Sequence, residues 1–153
     1  MKDLKNSIIV ALIFMVVILL SILTLKSAEA EISYDDDIQC LTEALYYEAR
    51  GEPTEGIIAV KKVILNRVAD SRWPSTICSV VHQPNQFSYT KGAYLSIIDN
   101  EVYSRMNHIA RLEHPDNSDF YKATHYVNPN LANPIWLKEL VFIKTIGNHS
   151  FYK

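Results

Sequence analysis

The strongest constraint on this chain is an apolar run near its start. Ile8–Leu25 is an 18-residue stretch broken only by Ser21 and Thr24. At 1.5 Å rise per residue, a helix of that length spans roughly 27 Å, close to the hydrocarbon thickness of a bilayer. Lys2 and Lys5 precede it. Ser27-Ala28-Glu29-Ala30 follows, with Ala28 and Ala30 in the A-x-A pattern that signal peptidases cut. Basic residues stay on the cytoplasmic side, so whatever follows Lys26 is expected outside the inner membrane, in the periplasm or cell envelope. Residues 1–30 are expected to be a signal peptide cleaved after Ala30, or alternatively an uncleaved anchor held through residues 8–25. Residues 31–153 form the exported part.

That part has the length of one domain with a core of its own. Over the full 153 residues the net charge is -2, without a basic run, so a nucleic-acid partner is not expected. Four glycines leave no room for a dinucleotide or phosphate loop. Cys40 and Cys78 both lie in the exported part. In an oxidising compartment they are expected to form one disulfide, stabilising the domain by roughly 4 kcal/mol; two buried thiols, or a thiol nucleophile, are the alternatives.

Helices come first along the chain. Asp35-Asp36-Asp37 reads as a helix start, where carboxylates cap the chain and oppose the positive end of the dipole. Ile38, Leu41, Ala44 and Leu45 then recur at helical spacing until Gly51 and Pro53 end the run. Thr54 is expected to cap a second helix whose apolar residues, Ile57 to Val68, leave little polar face. Ser75 or Thr76 starts a short helix through Cys78 to Val81. A third amphipathic helix fits Ile97–Leu112, with Ile98, Val102, Met106, Ile109 and Ala110 inward. After a break at His114-Pro115-Asp116-Asn117 the texture changes. Phe120–Val127, Leu140–Ile146 and Phe151-Tyr152 read as short strands separated by Asn-Pro and Gly-Asn turns. Helices followed by strands give an α+β domain.

One residue breaks the helical pattern. Glu48 lies on the stripe of Leu41, Ala44 and Leu45, while Glu43 faces away. A carboxylate on a core-facing side, in the last turn of a helix, is disfavoured by desolvation and by the dipole. Both effects raise its pKa, as a general acid working near neutrality requires. The plain alternative is a buried salt bridge to Arg50 or Arg67. Other chemistries find less support. His82, His108, His114, His125 and His149 show no H-x-x-x-H spacing and the cysteines no C-x-x-C, so no metal or other cofactor is expected. A serine elbow is absent. Nine tyrosines with Trp73 and Trp136 suit sugar rings, and equally a small core.

Glu48-Ala49-Arg50-Gly51-Glu52-Pro53, followed by Gly56 and Val63-Ile64-Leu65-Asn66-Arg67-Val68, resembles the cell-wall hydrolase family of the spore cortex-lytic enzyme (SleB) type. Further matches follow in order. They are Pro74, Ile77–Val81, Gln86-Phe87-Ser88, Ala123–Tyr126, Asn128-Pro129, Trp136 and Ile146–Tyr152, covering roughly residues 38–153. Gln86-Phe87-Ser88 is similar to the version common in phage and proteobacterial members, so a single-domain member of that type is expected. The resemblance implies a lysozyme-like catalytic domain acting on peptidoglycan glycan strands, expected as a monomer. It places the catalytic carboxyl on Glu48, with Arg50, Glu52, Asn66 and Arg67 buttressing the site and Gln86, Ser88, His125 and Tyr126 lining a sugar groove. Glu52 follows Gly51 outside the helix, so it reads as a structural partner of Arg50 or Arg67. With one acid available, the expected reaction is lytic transglycosylation giving 1,6-anhydromuramyl ends, rather than two-carboxylate hydrolysis. An N-acetylmuramoyl-L-alanine amidase and a non-catalytic, membrane-tethered wall-binding protein are the alternatives.

N-terminal sequencing of the protein recovered from the cell envelope is expected to begin at Glu31. A start at Met1 in the membrane fraction identifies the anchor instead.

Overall fold

The computed structural model describes residues 2–91, 96–113 and 122–153. It divides into two compact units, Met1–Asp36 and Asp37–Lys153. Helix α1 spans Lys2–Ala49. In the first unit the described apolar side chains between Ile8 and Leu25 stand exposed. The helix holds an 18-residue window of mean hydropathy 2.4, none of it buried, so length and composition fit a membrane-spanning anchor or a signal sequence. Ser21, Thr24 and Ser27 donate to carbonyls of the preceding turn at 2.7, 2.9 and 3.0 Å. These hydroxyls therefore carry no unmet donor into apolar surroundings.

Asp35-Asp36-Asp37 does not start a helix as expected, because α1 runs through it without a break. Asp37 caps a different one. Its carboxylate accepts from the backbone N–H of Cys78 at 2.9 Å, at the start of helix α3 (Ile77–Val81). The Thr76 hydroxyl accepts from Ser79 N beside it. Cys40 and Cys78 form the expected disulfide, with Cα atoms 5.2 Å apart, joining α1 to α3.

Helix α2 spans Thr54–Ala69, but Pro53 occupies the cap position and no side chain caps it, so Thr54 is the first helical residue rather than the cap. A proline there is preset for helix entry and has no N–H to leave unmet. Ile57, Val60, Val63 and Ile64 share one core with Leu41, Leu45 and Tyr46 of α1 and with Val80 and Val81 of α3. Lys61 also lies buried in α2. Its ammonium donates to the carbonyls of Ile109, Ala110 and Leu112 at 2.9, 2.8 and 2.6 Å, closing the C-terminal end of helix α4 (Asn100–Arg111). A cation there satisfies orphan carbonyls and opposes the negative dipole end. Burial pulls its pKa below the ordinary lysine value.

α4 starts three residues later than its pattern suggests. Asp99 caps it by accepting from Val102 N at 3.0 Å. Ile98, expected inward, precedes the helix and is 85% exposed. Its N–H and that of Asp99 both donate to the buried Tyr46 hydroxyl, at 3.2 and 3.1 Å. Met106, Ile109 and Ala110 are buried as their spacing predicts.

The expected break at 114–117, and the first two residues of the expected 120–127 strand, lie outside the described residues. Strand β1 is His125–Val127, β2 is Phe142–Ile146 and β3 is His149–Tyr152. They form an antiparallel sheet in the order β1-β3-β2, pairing Tyr126 with Phe151 and Ile146 with His149. A bulge interrupts β2 between Phe142 and Lys144, and Lys144 pairs with Glu55 at 2.9 Å. Helices followed by this small sheet make the α+β architecture that the composition of the segments implies.

Replacing Cys40 and Cys78 together by alanine is expected to lower unfolding free energy by about 2–5 kcal/mol in a denaturant titration, without changing the far-UV spectrum under native conditions.

Candidate active site

The turn after α1 is built around a carboxylate. Glu52 N bonds back to Ala49 O at 2.9 Å, closing the helix, and the Glu52 side chain then meets the β2–β3 turn. It accepts from the backbone N–H of Asn148 at 2.9 Å and from its side-chain amide at 3.0 Å. The expected pairing with Arg50 or Arg67 is therefore corrected. Glu52 binds amides of residues far along the chain. Two glycines make room for it. Gly147 has φ +55, and a Cβ there would stand 2.0 Å from Glu52 Oε2. A Cβ on Gly56 would press on Glu52 Cβ at 3.2 Å.

A second tie brings the sheet to the helices. Asn66 donates to Ala123 O and the Arg67 Nε–H to Thr124 O, both at 2.8 Å. These bonds hold the backbone just before β1, and so aim His125 and Tyr126. The Arg67 guanidinium lies over Trp73, 4.3 Å from the ring centroid, with Phe87 behind it at 5.9 Å. Phe87 is fully buried and anchors the loop carrying Gln86 and Ser88.

Between these elements runs a cleft of ≈ 770 Å³. Glu48, Arg50, Glu52, Arg67, Gln86, Ser88, His125 and Tyr126 all line it, while Asn66 acts from outside through its carbonyl bond. Arg50 is exposed at the rim, stacked over Tyr46 at 5.0 Å.

Glu48 sits in this cleft without an ion-pair partner among the described residues. Tyr126 Oη donates to one carboxyl oxygen at 3.4 Å and Ser88 Oγ to the other at 3.5 Å. Both contacts are long, so neither oxygen is committed to the protein. Burial raises the Glu48 pKa above the usual carboxylate value, outweighing the opposing hydrogen bonds from Tyr126 and Ser88. Burial and the Glu48 charge in turn push the Tyr126 phenol well above its ordinary value, so it remains a donor. His125 and His149 are both pulled down by burial and are neutral near pH 7. The site thus offers one carboxyl able to give and take a proton, with neutral donors around it.

Lining residues outside the candidate set that the motifs gave include Trp73, Asn128, Trp136 and His149. Trp73, His125 and Trp136 form a row, with ring separations of 5.8 and 5.4 Å. The His149 ring lies tilted to Tyr126 with centroids 5.0 Å apart, and its Nδ1 is buried without a partner among the described residues. The excess of aromatic residues was the available clue, although it did not separate groove from core.

A family model described as Cell Wall Hydrolase matches residues 51–152. The chain belongs to the Cell Wall Hydrolase family. Curated relatives include the spore cortex-lytic enzymes of Bacillus cereus (34% identical over 122 residues) and Bacillus subtilis (34% over 121). The alignments cover 77% and 76% of this chain but 44% and 37% of those proteins, so the chain spans less than half of their length. Two solved structures are similar in fold. The catalytic domain of the germination-specific lytic transglycosylase SleB from Bacillus anthracis has TM-score 0.63 and 35% identity, over 76% of this chain and 93% of that one. The catalytic domain of the Bacillus cereus SleB protein has TM-score 0.63 and 33% identity, over 78% and 91%. The Cell Wall Hydrolase match begins at Gly51, three residues after Glu48, and takes in Glu52, the clamp residues Asn66 and Arg67, and the whole sheet.

Glu52→Gln and Asn148→Ala are each expected to cost about 1–3 kcal/mol of stability. Their double variant is expected to cost clearly less than the sum, measured as a coupling energy in denaturant titrations.

Proposed function

We propose that this chain is a peptidoglycan lytic transglycosylase that cuts the bond between N-acetylmuramic acid and N-acetylglucosamine through Glu48. One observation carries the reading: the cleft is lined by two carboxylates, and Glu52 is tied to Asn148 while Glu48 is held loosely with a raised pKa. The family membership and the similarity to the catalytic domain of the Bacillus anthracis lytic transglycosylase SleB support it.

A hydrolytic glycosidase normally uses two carboxyl groups, one as acid and one as nucleophile or base. Glu48 alone can complete a reaction in which the substrate supplies the nucleophile. Protonated at rest, it gives its proton to the glycosidic oxygen as the bond from that oxygen to C1 of the muramic sugar breaks. As a carboxylate, it then takes the proton of the C6 hydroxyl on the same sugar, and that oxygen bonds to C1. Glu48 ends protonated, no water is consumed and the new end is a 1,6-anhydro ring. Tyr126 and Ser88 hold the carboxyl through loose bonds that the substrate can displace, and the aromatic row offers faces for neighbouring sugars. The apolar N-terminal helix suits delivery to the outer side of a membrane, where the glycan lies.

Glu48→Gln is expected to lower turnover by at least about 10²–10⁴-fold while leaving the fold intact. Its stability effect has a definite sign. A carboxyl whose folded pKa is raised is tolerated below its unfolded pKa and penalised as pH rises through the folded one. Glu48→Gln is therefore expected to melt higher than the parent at neutral pH, the gain shrinking towards acid pH; a gain independent of pH contradicts a buried, titrating Glu48. Mass spectrometry of digested sacculi is expected to show anhydromuramyl products. Reducing ends about 18 Da heavier per cut identify water as the nucleophile and a second catalytic group. Release of free stem peptides identifies an amidase, and binding without soluble fragments a non-catalytic wall protein.

A further inference from the structure

We propose that Arg67 is a receptor for a carboxylate borne by the glycan, so that the cleft prefers an acidic glycan to a neutral one. The proposal rests on the glycan-cleaving reading above and adds to it the chemistry of the substrate's substituent.

Arg67 is 5% exposed yet lines the cleft. Its one hydrogen bond among the described residues runs from Nε to Thr124 O, and no carboxylate pairs with it there. Tethering one carbonyl needs one donor, whereas a guanidinium carries five in a planar fork. The clamp on Thr124 therefore explains where the side chain lies but not why it is charged. A buried cation without a counter-ion is costly, and its contacts with Trp73 and Phe87 offset only part of that. Burial draws its pKa down to about 10, which still leaves it charged at neutral pH.

The cleft does not supply the missing charge. Among the described residues Glu48 bonds to Tyr126 and Ser88 rather than to Arg67, and Glu52 is engaged by Asn148. His125 is neutral, its pKa lowered by burial and then by the charges of Arg67 and Arg72. No described residue of the cleft supplies the anion, which leaves it to a ligand. A carboxylate matches the guanidinium fork in plane and spacing, and a guanidinium held against aromatic rings is already oriented for it. The row from Arg67 over Trp73 and His125 to Trp136 places sugar-stacking faces beside the cation. A glycan ring can lie on the aromatic faces while its acidic substituent meets Arg67. In peptidoglycan, that carboxylate comes from the lactyl ether of the muramic sugar or from the peptide stem attached to it.

The test is calorimetric titration of the full chain in detergent, carrying Glu48→Gln so that ligands stay intact. The probes are alternating N-acetylglucosamine–N-acetylmuramic acid tetrasaccharides as the free acid, as the lactyl methyl ester and with stem peptides attached. The free acid is expected to bind at least about tenfold more tightly than the ester, as a charge-assisted bond implies. Added salt is expected to shrink the preference, and so is Arg67→Lys, which keeps a charge but loses the fork. If Arg67→Lys fails to fold, the acid-to-ester ratio of the parent decides. A peptide-bearing glycan that binds as tightly as the free acid assigns the carboxylate to the stem; one that binds like the ester assigns it to the sugar. Equal affinity for all three glycans overturns the role of Arg67 and leaves the glycan-cleaving reading standing. Absence of binding to any of them overturns both. A preference that survives Arg67→Lys but disappears with Arg50→Gln moves the receptor to the rim and overturns the proposal.

Discussion

Polar groups along α2 must reach backbone carbonyls of other elements, and this need organises the unit Asp37–Lys153. α2 is apolar on most sides, so an unmet donor on it would cost about 1–3 kcal/mol, more for a charge. Lys61 meets the end of α4, and Asn66 and Arg67 meet the strand entry at Ala123 and Thr124. Each bond satisfies α2 and positions a different part of the molecule. Apolar packing alone would hold these segments near one another without setting their register.

The cleft is the by-product of two such ties. Asn66 and Arg67 bring β1 to the helices, and Glu52 brings the β2–β3 turn to the end of α1. Glu48 lies where α1 stops, between them. The motif from Glu48 to Pro53 thus joins two carboxylates with opposite demands. Glu52 is satisfied by amides and holds structure in place, while Glu48 is left with two long contacts and a perturbed proton. Stability is given up at Glu48 and recovered four residues later.

What could be read from the chain followed the range of the interactions. The core stripe of α1, the buried character of α2, the short helix after Thr76 and the disulfide all rest on local periodicity or on a pair of cysteines, and they stand in the structure. Glu48 could be singled out because three apolar neighbours within two turns define the face it shares. The misreadings concern partners that local pattern cannot supply. Asp35-Asp36-Asp37 reads locally as the start of its own helix, yet Asp37 serves Cys78, 41 positions away. Glu52 looked like an arginine's partner but binds Asn148, 96 positions away. Ile98 reads as a core residue only if the helix begins at Ile97; its exposure follows from Asp99 capping α4 and Tyr46 accepting the two N–H groups before it. The cleft walls at Trp136 and His149 likewise depend on a sheet that closes through non-local pairs.

The edges of the sheet also bear on how copies of this chain would meet when crowded. Among the described residues the sheet order leaves β1 and β2 at the margins, and an open margin is a template on which another chain can add a strand. β1, on one margin, is only three residues long. β2, on the other, loses its regular ladder at the bulge between Phe142 and Lys144, and its lysine is held by Glu55. An incoming strand would find at most a few bonds on either side before the pattern failed. The exposed Val141 and Phe142 would otherwise make that margin adhesive. The irregularity in β2 therefore works as a guard against runaway self-association, independent of anything the cleft does.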